Sequence, residues 1–231
     1  VNNLNVYIGY DKREHIAYEV SKASIEKYSG VKVEAIVKSR WADFKYKDVK
    51  SSSSEFTMTR FLTPYINNFT GFALFIDCDT LIQTSIEKIL EEADLNCAVN
   101  CVQHDYIPKT SIKMDNKTQH VYPRKNWSSV MLFNCQHPLV VNNLSYTKVV
   151  EATPKYLHRM EWAKESIGSL HHTWNYLAGY YDDIEKPNII HYTDGGPWFD
   201  NYKNCTFADE WRKEFESVNN RNNRTGWSLL S

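Results

Sequence analysis

The chain is short of several things, and each shortage removes a class of protein. Across its 231 residues the formal net charge is −1, so no broad basic surface argues for nucleic acid. No apolar run is long enough to span a bilayer, and no basic-then-apolar segment opens the chain. The five cysteines (Cys78, Cys97, Cys101, Cys135 and Cys205) are odd in number and contain no CxxC pair. Neither a disulfide framework nor structural zinc is expected. The pattern reads as buried free thiols in a reducing compartment, so a cytoplasmic location is expected. The chain begins at Val1, which leaves an upstream targeting signal open. No GxGxxG is present, so a dinucleotide fold has no support, and no internal repeat appears. What remains is a length that suits one α/β domain with a full core, or at most two small ones.

The stretch FALFIDCDTLI, residues 72–82, organises the rest. A continuous apolar run from Phe72 to Ile76 reads as a strand buried on both faces. It ends in Asp77, Cys78 and Asp79. Carboxylates two residues apart in extended backbone share a side, and burying them is costly unless something positive meets them. Such a pair forms half of a hard-cation site for Mg²⁺ or Mn²⁺. The plainer alternative is a strand-end turn whose aspartates cap Thr80 or the helix after it.

Leu4, Val6 and Ile8 alternate with polar or aromatic neighbours, which predicts a first strand ending at Gly9. Asp11 with Glu14 resembles a capping box, and the apolar spacing that follows predicts a helix. Its N-terminus, with Arg13, is a candidate phosphate site. Val31 to Val37 predicts a second strand. Residues 39–54 read as a polar loop of the kind often used as a lid. A helix is expected from Glu55, bent or ended at Pro64 and carrying Arg60 among Phe56, Met58 and Phe61. Arg60 either snorkels to solvent or turns back towards the aspartates.

Further on, a short helix is expected at 85–92, a strand at 97–102 and an irregular connection from His104 to Pro123. A strand is expected over 125–135, with Ser128 and Ser129 near its start, small enough to let a ligand reach the backbone. Helices are expected at 142–152 and 155–165, irregular chain at 167–179, and a short strand from Asn188 that ends at His191. Asp194 to Pro197 forms a turn. An amphipathic helix at 207–218 closes a single catalytic domain of residues 1–218, leaving 219–231 as a polar tail or the start of a linker to another domain. Alternating strands and helices imply an α/β fold with a crevice at the carboxyl ends of its strands. If the strands are parallel, Gly9–Asp11, Asp77–Asp79 and Ser128 meet there, and His191 is a candidate third metal ligand.

The segments GYDKREHIAYEV, LFIDCDTLI, YPRKNWSSVMLFNC and HYTDGGPWF together resemble the GT-A glycosyltransferases, whose fold is a mixed, mostly parallel sheet flanked by helices. The likeness is strongest to the retaining family 8, around glycogenin and bacterial galactosyltransferases, and extends to transferase domains of microbes and large DNA viruses, including the N-terminal domain of a chlorella-virus protein. It implies a transferase that takes a UDP-sugar donor and a glycan or other hydroxyl acceptor, with Mn²⁺ or Mg²⁺. It implies that Asp77, Asp79 and His191 hold the metal. Gly9, Tyr10 and Asp11 then line the base, while Arg60, the Asp77–Cys78 segment, and Ser128 with Ser129 contact the rest of the donor. Two departures stand out. Gly196 occupies the place of a lysine that grips the diphosphate, so that grip would pass to Arg13, Arg60 or a lysine of the 45–50 stretch. The family's Asp–Gln pair near the anomeric carbon is missing. Glu161, beside Trp162, is the nearest catalytic candidate, along with Asp79.

Two other readings stay open. FIDCDTLI is similar to the DxD of haloacid-dehalogenase-type phosphatases, with Asp77 as nucleophile and Asp182 and Asp183 as the later acidic pair, although Leu81 stands where that family has a threonine. A non-catalytic binder of sugar nucleotides is the third reading.

Overall fold

A computed structural model describes residues 4–45, 54–105, 112–113, 117–118, 123–181 and 186–225. In chain order it contains β1 (Leu4–Tyr10), α1 (His15–Tyr28), β2 (Lys32–Val37), α2 (Ala42–Lys45), α3 (Thr63–Ile66), β3 (Phe72–Ile76), β4 (Thr80–Ile82) and α4 (Ile89–Glu92). Next come β5 (Val99–Val102), β6 (Ile112–Lys113), β7 (Lys117–Thr118), β8 (Val130–Asn134), α5 (Pro138–Asn143), α6 (Tyr146–Glu151) and α7 (Pro154–His158). The chain then forms β9 (Ile167–Leu170), β10 (Tyr176–Leu177), β11 (Ile189–His191) and α8 (Ala208–Thr225).

Six strands form the main sheet in the order β2-β1-β3-β8-β5-β9. β1 pairs parallel with β2 and β3, and β5 with β9, while β8 runs antiparallel to both its neighbours. This is the expected mixed, mostly parallel sheet. The central strands are apolar on both faces because both are covered: Ala73 to Ile76 and Val130 to Phe133 are fully buried. A second sheet, β10-β11-β4, lies over a smaller core of Val20, Leu81, Ile190, Tyr192 and Trp211, which α1 and α8 help to close. β6 and β7 form a separate antiparallel pair.

Several expectations need correction. Residues 38–45 are not open loop: a single 3-10 turn and α2 occupy them, and Phe44 is buried. Residues 54–62 form turns and a 3-10 segment, and Pro64 sits in the first turn of α3, starting the helix rather than ending it. Ser128 and Ser129 lie in a 3-10 turn before β8. The second of the two expected helices stops at His158, and the segment expected to be irregular supplies β9, a sheet edge beside β5. The last helix continues to Thr225, past the expected end at 218. The lysine side chains at 45–50, Ser51–Ser53, most of the 106–122 connection and Asp182–Asp183 lie outside the described residues. All five cysteines are free thiols as expected, but only Cys78, Cys101 and Cys135 are buried, Cys97 and Cys205 being partly exposed; no described helix is long and apolar enough to cross a membrane.

Candidate metal and donor site

Strand register gathers the site. Ile76, the last residue of β3, pairs with Ile8 on one side and Val130 on the other. Gly9 therefore flanks Asp77 on one side, and Ser129 flanks it on the other, accepting the Asp77 N–H at 2.9 Å. Because β8 is antiparallel, its start, not its end, reaches the carboxyl ends of β1 and β3, and that is why Ser128 lies there. Arg60 is buried and donates from Nη1 to Asp77 Oδ1 and to the Ser128 carbonyl, both at 2.8 Å. Its guanidinium carbon lies 5.1 Å from the ring centroids of both Phe56 and Phe75. Two aromatic faces and two acceptors compensate the guanidinium for the water it has lost. Of the two readings of Arg60, the structure takes the one in which it turns back to the aspartates.

After Asp79 the chain enters β4, which pairs antiparallel with β11 so that Thr80 faces His191. The Tyr192 N–H binds the Asp79 carbonyl at 2.9 Å, fixing the two segments side by side. His191, 2% exposed, brings Nε2 to 3.5 Å from Asp79 Oδ1. One ligand atom each from Asp77, Asp79 and His191 can be chosen so that all lie within 4.8 Å of one another. Ligands of a divalent ion at about 2.1 Å span up to about 4.2 Å, so the group closes on an ion with a shift of about half an ångström. Two carboxylate oxygens and an imidazole nitrogen form a donor set suited to Mn²⁺ and tolerated by Mg²⁺.

The other residues of interest divide into those the structure brings to this group and those it does not. Asp11 is fully buried, caps the turn before α1, and is gripped by Arg13 through Nε at 3.0 Å and Nη2 at 2.6 Å. Burial raises its pKa, but the Arg13 bonds and the Glu55 N–H outweigh that and hold the carboxyl below its ordinary value. Arg13 is thus engaged with Asp11. Tyr10 packs edge-on against His15 and Tyr18. Gly9 is needed for packing: a Cβ there would lie 2.4 Å from the Phe56 ring. Cys78 is fully buried beside Glu14, 3.8 Å from Oε2, and burial pushes its thiol well above the ordinary range. Only its backbone is left to touch a donor.

Gly196 is covered by the Trp198 ring, which a Cβ would meet at 1.9 Å, so no lysine fits there without displacing that ring. Glu161 is exposed on a turn after α7. Its neighbour Trp162 stacks on Phe133, which pairs with Ala73 near the start of β3, not its aspartate end. Glu161 is therefore not brought to the metal group.

Three contributors were missed by the sequence reading. Asn175 is fully buried and lies 2.8 Å from His191 Nδ1. Asn126, in left-handed backbone with φ 64°, accepts from Asn175 Nδ2 at 3.0 Å through its carbonyl. His158 contacts Ser128 Oγ at 2.9 Å, and burial, with the Arg60 charge, lowers its pKa to about 3, so it is a neutral support. Asn126 left a weak trace, since asparagine tolerates left-handed backbone. Asn175 left none within the irregular-looking HHTWNY stretch.

No family model matches the chain. In sequence it is 43% identical over 233 residues to protein CDI of Arabidopsis thaliana, covering 96% of this chain and 89% of the plant protein. The chain belongs to the CDI family. In structure, the bifunctional glycosyltransferase WbbM superimposes with a TM-score of 0.64 at 15% identity, covering 93% of this chain and 50% of that one. The chain thus spans half the length of WbbM. The galactosyltransferase LgtC, solved with donor and acceptor sugar analogs, gives 0.59 at 14% identity, covering 92% and 95% of the two chains. GlyE of Streptococcus pneumoniae gives 0.58 at 14% identity, covering 100% and 66%. At such identities the likeness establishes the fold, and the CDI-family chain has the GT-A glycosyltransferase fold.

Proposed function

We propose that this CDI-family protein is a metal-dependent glycosyltransferase that moves a sugar from a UDP-sugar to a hydroxyl of a glycan or other acceptor. The observation that carries the reading is the Asp77–Asp79–His191 group at the carboxyl end of β3, in a GT-A fold. Relationship to the retaining family 8 is part of the proposal, supported by the DxD and the late His–Tyr–x–x–Gly–x–Pro–Trp segment.

Asp77, Asp79 and His191 would hold Mn²⁺ or Mg²⁺, which, when bound, offsets the negative charge that grows on a departing diphosphate. Every other part is protein. Arg60 fixes Asp77 so that one of its oxygens is oriented before any ligand arrives. Gly9 to Asp11 offer backbone to the base, and the small side chains of Ser128 and Ser129 leave room beside the sugar. We assign the acceptor proton to a leaving phosphate oxygen on the same face, as the acceptor oxygen bonds to the anomeric carbon and the bond to the diphosphate breaks, which retains configuration there. NMR of the product linkage tests this: an inverted linkage overturns the same-face route.

The broader test is a thermal-shift panel of nucleotide sugars with and without Mn²⁺, because a ligand that binds only the folded state raises Tm according to its affinity. UDP-sugars with Mn²⁺ are expected to give the largest shift, followed by turnover in an acceptor screen. A UDP–Mn²⁺ shift without turnover for any donor and acceptor favours a second reading, a non-catalytic binder. That reading draws on Gly196 beneath Trp198 and on the distance of Glu161 from the site.

A further inference from the structure

Inside the site just described, the His191 ring has two nitrogens with different neighbours, and a single buried amide decides what each can do. Nδ1 lies 2.8 Å from Asn175 Oδ1, and Nε2 lies 3.5 Å from Asp79 Oδ1. The orientation of the Asn175 amide is not free. Its Nδ2 donates to the Asn126 carbonyl at 3.0 Å, which leaves the oxygen end facing His191. A carbonyl oxygen only accepts, so the hydrogen bond requires a proton on Nδ1. A neutral imidazole with its proton on Nδ1 has a bare lone pair on Nε2. That lone pair faces a carboxylate oxygen. In that neutral form two acceptors lie 3.5 Å apart on side chains less than a tenth exposed, an arrangement that a cation or a second ring proton between them relieves.

We infer that Asn175 is a positioning residue that makes His191 a metal ligand: it holds the imidazole in the Nδ1–H tautomer and so prevents Nε2–H from bonding to Asp79 and closing the site. The inference rests on the metal-site reading above and deepens it. Without an acceptor at position 175, the proton moves to the nitrogen that faces Asp79, and His191 and Asp79 pair with each other in place of a divalent ion. The Asn126 backbone belongs to the same device. Its left-handed turn points the carbonyl at Asn175, and it lies two residues before Ser128, whose carbonyl accepts from Arg60. One turn therefore orients both the histidine and the Asp77 sides of the metal group.

The test uses the intact protein and Mn²⁺ alone. ¹⁵N NMR of His191 in metal-free protein, at a pH where the imidazole is neutral, reads the tautomer, and titration calorimetry reads Mn²⁺ affinity. Wild type is expected to show Nδ1–H. Asn175→Leu is expected to shift His191 towards Nε2–H and to weaken Mn²⁺ binding about 10–100-fold, the range typical for loss of a partner behind a metal ligand. Asn175→Asp keeps the acceptor and is expected to keep the Nδ1–H tautomer and to bind Mn²⁺ more tightly than Asn175→Leu. Nε2–H in the wild type, a result independent of whether any variant folds, overturns the inference. So does unchanged Mn²⁺ affinity in a folded Asn175→Leu, and in that case the metal reading survives. If the wild type shows Nδ1–H but binds no Mn²⁺, the metal reading falls and the assignment of Asn175 as a metal-positioning residue falls with it, leaving only the tautomer.

Discussion

The two walls of the crevice are built from different chemistry. On the β1–β3 wall two carboxylates are matched by arginines: Asp11 by Arg13, and Asp77 by Arg60. On the β4–β11 wall Asp79 faces His191, which is held by Asn175, which is held in turn by the Asn126 backbone. The first wall is compensated within the protein, so its geometry is set before a ligand arrives. The second sets a carboxylate opposite an imidazole nitrogen, the pair that we propose a divalent ion to join. A cation that spans the walls would draw rigidity from one and affinity from the other.

The comparison breaks most visibly at Asp79. Asp79→Asn is expected to remove the Mn²⁺-dependent part of the thermal shift and to lower transfer on the order of 10³-fold, as seen when a key electrostatic stabiliser is lost. A retained Mn²⁺ shift places the ion elsewhere. Arg60→Met should act on the opposite wall through stability, leaving Asp77 without its buried partner at a cost of about 3 kcal/mol in denaturant unfolding. Adding Asp77→Asn should recover most of that loss, and failure to recover means that Arg60 serves mainly as packing against Phe56 and Phe75. Gly9→Ala drives a methyl into the Phe56 ring beneath the same wall and should cost about 1–3 kcal/mol.

His158 sharpens the contrast through pH. Its folded pKa, about 3, lies below that of the unfolded chain, so the unfolded state binds more protons as the solution is acidified. Stability contributed by the neutral ring is present above the unfolded value of about 6.5 and is lost as pH falls from there towards 3, on the order of 1 kcal/mol per pH unit. His158→Asn keeps a polar atom near Ser128 and should flatten that part of the Tm–pH curve. The smallest effect is expected at Glu161. Glu161→Gln, on an exposed turn away from both walls, should change stability by less than about 0.5 kcal/mol and leave transfer rates in place. A large loss of transfer would bring the turn after α7 into the reaction.

Legibility followed the range of the interactions. β1, α1, β2, β3 and the aspartates were readable because apolar periodicity, a capping residue and a buried run are written in consecutive residues. Arg60 was readable as a question, since a cation among Phe56, Met58 and Phe61 demands a partner. The irregular stretch at 167–179 was not readable as structure. Its strand β9 is an edge held by β5, and short edge strands take their conformation from the partner more than from their own propensity. Ser128 was expected at the crevice on the assumption of parallel strands. It lies there because β8 is antiparallel, a reversal that no local pattern signals.

By itself, the sequence determined that a buried strand would run into two closely spaced carboxylates, because an apolar run and the residues that end it are local properties of a short stretch. Only the tertiary structure decided which wall each carboxylate would join. The pairing of Thr80 with His191, the turn that aims the Asn126 carbonyl, and the amide that orients His191 all join residues far apart in the chain. Such contacts are fixed by strand register and packing, and no local residue pattern encodes them.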